Sequence, residues 1–293
     1  NVASNAGGGV FLNSTGSTYD LTQVSNPYFG LNALRDYGFT SILVTLPIVA
    51  ITQRKMPADI AASNFNDATV KASYRALIDQ VVPYLNSNVK YVSLGNEVDS
   101  YFATHASEVS QFKELIEDAR TYLKSIKPDI KVGVTTTFEG ASSTQVSAVA
   151  SLNQNMDVIM MTYYPIGSGF VARDPSTVQA DMQSMVNLAG GKPIVMQEWG
   201  YPSSTVLSGS QQKQADFVSN TFTSWKSFGS EKFPFISFFK RREWTSAYCA
   251  AITSQTAGQS FYEFMCSLGL LNNDGSAKSA YQTLASQIAA LGT

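Results

Sequence analysis

The stretch "KYVSLGNEVDSYF" (residues 90–102) begins with an apolar run typical of a buried strand and then turns polar. Gly95, Asn96 and Glu97 come where that strand should end. A buried amide or carboxylate is costly unless a partner satisfies it. The pair therefore indicates a functional position, and we ask whether a second carboxylate accompanies Glu97.

Similar apolar runs alternate with helical patterns along the rest of the chain. Strands are predicted over residues 40–48, 89–97, 130–138, 157–165, 192–200 and 233–239, and helices over 67–85, 112–126, 144–154, 174–189 and 211–228. This alternation is typical of a parallel sheet wrapped by helices. We therefore predict an α/β fold, a (β/α)8 TIM barrel that forms a single domain over residues 1–293.

The beginning of the chain fits this barrel less well. Residues 1–39 must supply two more strands, and only "GGVFLN" (8–13) resembles one. Either the first strand is irregular or a usual opening segment is lacking. We therefore expect an atypical or shortened N-terminal part.

Composition limits the classes of function. A net charge of -2 with 14% charged residues argues against a nucleic-acid partner. Because no apolar run approaches the roughly 18 residues of a membrane span, we expect a soluble protein. We also expect a monomer. Cys249 and Cys266 are close enough in sequence for a disulfide, although buried free thiols are the alternative. Few charges and many small polar residues favour a secreted protein, present here in processed form.

A second carboxylate ends another predicted strand. Glu198 closes "PIVMQE" as Glu97 closes "YVSLGNE", and barrel enzymes gather their chemistry at these strand ends. By our count of strands the two face each other across the barrel mouth. Hydrolysis of a glycosidic bond needs one acid to protonate the leaving oxygen and one carboxylate at the anomeric carbon. Two carboxylates in one cleft also push their pKa values apart, which keeps one protonated.

Several neighbours of this pair are candidate substrate-binding residues. Asn96 would donate a hydrogen bond to a sugar hydroxyl such as the 2-OH. Tyr163 and Tyr164 end the strand before that of Glu198, where a hydroxyl would hold a nucleophile's oxygen, although packing explains them equally well.

Other candidates have a structural and a functional interpretation. Trp199 and Trp244 are either sugar-stacking platforms or core aromatics. Glu139 is a third strand-end carboxylate, for sugar hydroxyls or the surface. His105 is expected in a loop, and Asp99 either tunes Glu97 or caps the following segment. With one His and two Cys, a typical zinc site is nearly excluded, and neither a metal nor an organic cofactor is implied.

Two motifs carry a family resemblance. "VSLGNEV" (92–98) and "MQEWGYPSS" (196–204) resemble the catalytic strand ends of clan A retaining glycoside hydrolases, most closely the β-1,3-glucanase-like family 17 pattern. "TYYP" (162–165) and "LGLLNNDGSAKSAY" (268–281) resemble that family more weakly. The resemblance implies that Glu97 is the acid/base, that Glu198 is the nucleophile and that the configuration is retained. A retaining enzyme holds its two carboxyl groups about 5–5.5 Å apart.

These motifs indicate the substrate less directly than they indicate the reaction. We expect a β-linked polysaccharide such as β-1,3-glucan. A transglycosylase or a hydrolase of β-1,4-galactan or of acidic or amino-sugar polymers would share the same pair. The triplet Lys240, Arg241 and Arg242 either binds an acidic sugar or forms a solvated loop paired with Glu243. A non-catalytic carbohydrate-binding barrel is the alternative from another class.

Overall fold

The computed structural model describes Ser25, Pro27 and residues 30–253 and 258–291 of the 293-residue chain. The possible strand "GGVFLN" (8–13) lies outside these residues, so the expectation for it stays a prediction.

The described residues form nine strands and ten α-helices. The strands are β1 (Ile42–Thr45), β2 (Val49–Ala50), β3 (Gln53–Arg54), β4 (Val89–Ser93), β5 (Lys131–Gly133), β6 (Thr135–Thr137), β7 (Ile159–Tyr163), β8 (Ile194–Trp199) and β9 (Phe235–Phe238). The helices are α1 (Leu31–Asp36), α2 (Ala68–Val81), α3 (Val98–Phe102), α4 (Val109–Ile126), α5 (Val146–Asn153), α6 (Val178–Leu188), α7 (Gln211–Phe228), α8 (Ser246–Thr253), α9 (Gly258–Cys266) and α10 (Ser279–Ala289).

The predicted strands and helices from residue 40 to 239 are present, except that the strand predicted over 130–138 is divided into β5 and β6, which belong to different sheets. The helices form because their apolar residues recur every three or four positions. In α4 this spacing buries one stripe, made of Phe112, Leu115, Ile116, Ala119 and Leu123. The pattern did not predict the short β2–β3 hairpin, and the helices after residue 245 were not predicted either.

The sheets have the parallel pairing expected of strands joined by helices. One sheet has the order β1-β4-β5, with Val44 opposite Val92 and Val92 opposite Val132. The other has the order β6-β7-β8-β9, and β6 pairs in parallel with β7. β7 and β8 are almost wholly buried, so they read as nearly continuous apolar runs.

The chain divides into two compact units. Among the described residues, the first unit holds 30–162 and 188–197, and the second holds 163–187, 198–253 and 258–291. The core of the first unit is built on buried aromatics such as Phe65 and Phe112. In the second unit Leu207, Phe264 and Leu268 form a buried cluster. The prediction of a single domain over 1–293 stays a prediction.

Candidate active site

In the first unit, Glu97 sits directly after the turn that ends β4. Its backbone has φ 48° and ψ 43°, a left-handed conformation that is uncommon for a residue with a side chain. Such strain is found at functional sites, where the surroundings enforce it. Thr162, near the end of β7, donates a hydrogen bond from Oγ1 to Glu97 Oε1 at 2.7 Å. The half-buried carboxylate of Glu97 is therefore held in one orientation by a residue of β7.

Asn96 is oriented by a buried polar network that we did not predict. Gln197 donates from Nε2 to Asn96 Oδ1 at 2.5 Å, while its own Oε1 accepts from Thr45 Oγ1 at 3.1 Å and from Thr135 Oγ1 at 2.7 Å. Because Oδ1 of Asn96 accepts this bond, the amide nitrogen of Asn96 is the part of the side chain that can donate to a ligand. Gln197 is 9% exposed, and its burial is explained by these three bonds.

Asp99 is tied to β6 rather than to Glu97. Its carboxylate accepts hydrogen bonds from the backbone nitrogen of Thr137 at 2.8 Å and from Thr137 Oγ1 at 2.6 Å. Burial raises the pKa of Asp99, and the charge of Glu139 acts in the same direction. Gly140 leaves room for this carboxylate, since a Cβ there would lie 2.1 Å from Asp99 Oδ2. Glu139 itself is exposed.

In the second unit, Glu198 is held by Tyr164. The Tyr164 hydroxyl donates to Glu198 Oε2 at 2.6 Å, which is the contact predicted for a tyrosine at this strand end. Both side chains are partly exposed. A hydrogen bond to an ionised carboxylate is stronger than one between neutral groups, so this contact both fixes and stabilises the charge.

Tyr163 and Trp199 are core residues, which corrects their assignment as substrate-binding residues. Tyr163 is 1% exposed and donates its hydroxyl to Asp181 Oδ2 at 2.6 Å. Trp199 is fully buried and donates from Nε1 to Thr221 Oγ1 at 2.8 Å. The Trp199 ring lies 4.5 Å from that of Tyr163 and 5.7 Å from that of Phe217, so it has no face open to a sugar.

Trp244 remains a candidate stacking residue. It is partly exposed and meets Phe239 and Tyr248 edge-on, with ring centroids 6.2 Å and 5.2 Å away. Lys240 Nζ lies 3.0 Å from the centroid of its indole ring, which is a cation–π contact.

The basic triplet is exposed only in part, because its first member is buried. Lys240 is 6% exposed and donates to the carbonyl of Met265 at 3.1 Å, and its burial lowers its pKa to about 7. Arg241 and Arg242 are both exposed, and Arg242 donates to the carbonyl of Asn273. The expected partner Glu243 instead pairs with another buried lysine.

That lysine is Lys278, which is 1% exposed. It donates to Glu243 Oε1, to Ser203 Oγ at 2.8 Å and to the carbonyl of Ser267 at 3.3 Å. Burial lowers the pKa of Lys278, while the contact with Glu243 opposes this shift. Three acceptors explain why a buried ammonium is tolerated here.

Cys249 and Cys266 form a disulfide that joins α8 to α9. Cys249 is fully buried, and the two Cα atoms are 6.0 Å apart. Both helices lie in the second unit, on the segment between β9 and α10.

His105 packs in a cluster of the first unit. Its ring stacks on Tyr101 at a centroid distance of 4.1 Å. The Tyr101 hydroxyl donates to Glu108 at 2.7 Å, and Arg54 pairs with the same carboxylate. His105 is therefore a loop residue in a packed surface cluster.

The described residues show neither a cluster of metal ligands nor a membrane-spanning helix. No group of three or more His, Cys, Asp or Glu side chains in this part of the chain is arranged to hold a metal ion. Among the helices within the described ranges, none has the length and apolar character to cross a membrane.

Solved structures share this fold at low sequence identity. A GH5_18 protein from Streptomyces cattleya in complex with GlcNAc has a TM-score of 0.70 and 17% identity, over 92% of this chain and 66% of that one. The exo-β-1,4-mannosidase Op5Man5 from Opitutaceae bacterium strain TAV5 has a TM-score of 0.72 and 15% identity, over 97% and 52%. This chain thus spans about two thirds of the length of the first neighbour and about half of the length of the second. The likeness confirms the predicted (β/α)8 barrel.

A further structural neighbour carries a disaccharide. A GH5_18 variant from Bifidobacterium longum subsp. longum ATCC 55813 in complex with Manβ1-4GlcNAc has a TM-score of 0.70 and 15% identity, over 96% of this chain and 67% of that one. No curated protein sequence matches this chain.

The sequence itself matches one family model, described as glycosyl hydrolase family 53, over residues 54–229. The matched span includes both Glu97 and Glu198, and it confirms the predicted relation to clan A glycoside hydrolases. The predicted likeness to family 17 is not supported. Because the match extends over more than half of the chain, the protein belongs to glycosyl hydrolase family 53.

Proposed function

We propose that the protein is a retaining glycoside hydrolase that cleaves a β-linked polysaccharide. Glu97 is the acid/base and Glu198 is the nucleophile. The observation that carries this proposal is the family match, which includes both strand-end glutamates. The hydrogen bonds from Tyr164 to Glu198 and from Thr162 to Glu97 support it. Each bond holds a partly exposed carboxylate in one orientation, which a glutamate without a function would not need.

The proposed reaction is a double displacement. In the first step Glu198 attacks the anomeric carbon while Glu97 protonates the departing glycosidic oxygen, and a glycosyl ester forms on Glu198. In the second step Glu97 takes a proton from water, which attacks the same carbon and releases Glu198 as a carboxylate. Asn96, oriented by Gln197, donates its amide hydrogen bond to a hydroxyl of the bound sugar.

A β-1,4-linked hexose polymer is the substrate class we favour. The structural neighbours described as acting on or binding β-1,4-linked mannosides support it. β-1,4-Galactan belongs to the same class of linkage. β-1,3-Glucan stays a second candidate, on the strength of the two strand-end motifs.

The basic triplet gives only weak support for an acidic polymer as the substrate. Lys240 is buried, and Arg242, although exposed, is engaged by a backbone carbonyl, so the three cations do not act together on a bound polymer. Amino-sugar polymers do not depend on that triplet and stay among the candidates. Transglycosylation uses the same glycosyl ester, with a sugar in place of water.

A secreted location is proposed together with this function. The Cys249–Cys266 disulfide supports it, because structural disulfides persist mainly in oxidising compartments.

The first test is a panel of polymers. The protein is incubated with β-1,4-galactan, β-1,4-mannan, β-1,3-glucan and an acidic or amino-sugar polymer, and released reducing ends are measured beside Glu198→Ala. Release from one polymer that is lost in Glu198→Ala supports the proposal. Binding without release from any polymer would instead support the non-catalytic carbohydrate-binding barrel.

Azide rescue then separates the two roles. An aryl glycoside of the released sugar is given to Glu198→Ala and to Glu97→Ala with added azide. In Glu198→Ala azide attacks once from the face opposite the leaving group, so the product should be an α-glycosyl azide. In Glu97→Ala azide should attack the glycosyl ester and give the β-glycosyl azide. If Glu198→Ala gave the β-azide and Glu97→Ala the α-azide, the roles of the two glutamates would be exchanged. If azide rescued neither variant, neither glutamate would have the role proposed for it.

A further inference from the structure

The aromatic ring of Tyr164 is packed on several sides within the second unit. On one side is Gly200, where a Cβ would lie 2.8 Å from Tyr164 Cε1 and 2.7 Å from the carbonyl oxygen of Phe239. The ring of Phe264 meets that of Tyr164 edge to face, with centroids 5.1 Å apart and planes at 79°. The ring of Phe239 meets it similarly at 6.4 Å. The position of the Tyr164 hydroxyl is therefore set by packing as well as by its hydrogen bond.

Phe264 belongs to a segment that the disulfide restrains. It lies in α9, is 5% exposed and is two residues from Cys266, which joins α9 to α8. The ring of Phe170 packs against Phe264 from another direction, with centroids 5.1 Å apart. This helix pair was not predicted from the sequence.

We propose that Phe264 is a positioning residue for the reaction, which acts on Glu198 through Tyr164. Helix α9, which the disulfide restrains, holds Phe264 in contact with the Tyr164 ring. This contact orients the Tyr164 hydroxyl toward Glu198 Oε2. The inference rests on the proposed role of Glu198 as nucleophile. It adds that the disulfide-linked helices after β9 hold the geometry of that residue.

Ring packing suits this task because it limits rotation of a tyrosine about its side-chain bonds. Edge-to-face aromatic pairs prefer centroid distances of about 4.5–7 Å, and the Tyr164–Phe264 pair falls inside this range. Leucine at position 264 would keep an apolar contact but lose the flat edge. The Tyr164 ring would then sample positions in which its hydroxyl misses the carboxylate.

The test is a double-mutant cycle on kcat and KM for the polymer hydrolysed in the panel. Phe264→Leu should lower kcat by about tenfold without raising KM, since a 1 Å misplacement can cost up to about a hundredfold. In the Tyr164→Phe background, where no hydroxyl is left to position, Phe264→Leu should change kcat by less than about twofold, because its effect depends on Tyr164. Phe264→Met serves as a milder replacement if Phe264→Leu does not fold.

Phe261→Leu is the matched control. Phe261 lies one turn earlier in α9 and packs on Phe170 at 5.5 Å. It should leave kcat close to that of the unmodified protein in both backgrounds. The acid limb of the pH profile of kcat/KM should move to higher pH in Phe264→Leu, as in Tyr164→Phe, because both weaken a bond that favours the ionised carboxylate.

Equal losses from Phe264→Leu with and without the Tyr164 hydroxyl would overturn the inference, because the phenylalanine would then act through stability alone. The inference would also be overturned if the acid limb of the kcat/KM profile stayed at the same pH in Phe264→Leu. Failure of the proposed function would be seen separately, as azide rescue of neither glutamate variant.

Discussion

Removal of one hydroxyl from Tyr164 should slow a single step of the reaction. The Tyr164 hydroxyl donates to Glu198 Oε2 at 2.6 Å, and a hydrogen bond to a charged group contributes about 1.5–3 kcal/mol. Glu198 is neutral in the glycosyl ester and regains its charge as the ester breaks. The bond is therefore stronger in the transition state that releases the sugar than in the ester, and Tyr164→Phe should slow this step.

The expected magnitude follows from that energy. Each 1.36 kcal/mol is a factor of ten in rate, so breakdown of the ester should slow by roughly tenfold to 150-fold. With an aryl glycoside whose leaving group needs no proton, rapid-quench measurements should show a burst of aryl product followed by slow turnover. KM should stay unchanged or fall, because the ester accumulates.

Tyr163→Phe is the matched control. Tyr163 is the adjacent residue of the chain, and its hydroxyl donates to Asp181 at the same distance of 2.6 Å. It should lose stability but show neither the burst nor the rate loss. Tyr164→Phe with unchanged kcat, or equal rate losses in both variants, would refute the reasoning.

Three further predictions concern stability. Gln197→Leu leaves the oxygen of Asn96 without its donor, so the free energy of unfolding should fall by about 1–3 kcal/mol in urea titrations. Gly140→Ala places a Cβ against the Asp99 carboxylate and should lower Tm in a thermal melt, whereas an unchanged Tm would contradict this packing. Burial lowers the pKa of Lys240 to about 7 from 10.5, so the unfolded chain binds more protons between these values and stability should rise with pH there. Lys240→Met should flatten that rise in urea titrations at pH 7, 8.5 and 10, and an identical slope would exclude Lys240 as its source.

Much of the fold and both glutamates could be predicted because they follow from local pattern. Apolar runs bounded by polar residues mark buried strands, and Glu97 and Glu198 come where two such runs end. The chain between residues 245 and 290 was harder. Its helices α8, α9 and α10 are held by a disulfide and by contacts between residues that are far apart in sequence, which a local pattern does not show.

Neighbouring residues in a strand show where local pattern stops. Successive side chains point to opposite faces, so of Tyr163 and Tyr164 one enters the core and the other meets Glu198. The sequence does not say which. Gln197 was missed for a related reason, since a lone amide in an apolar run is informative only when its partners, such as Thr135, are known. Its position next to Glu198 was the available signal.

The central claim is that Glu198 forms a covalent bond to the sugar. An activated 2-deoxy-2-fluoro glycoside of the released sugar slows both steps but slows release of the enzyme-bound sugar enough to trap it. After proteolysis, mass spectrometry should find the added sugar mass on the peptide that contains Glu198, and Tyr164→Phe should keep the label longer. A label on another residue, or no label together with an initial product of inverted configuration, would contradict the account.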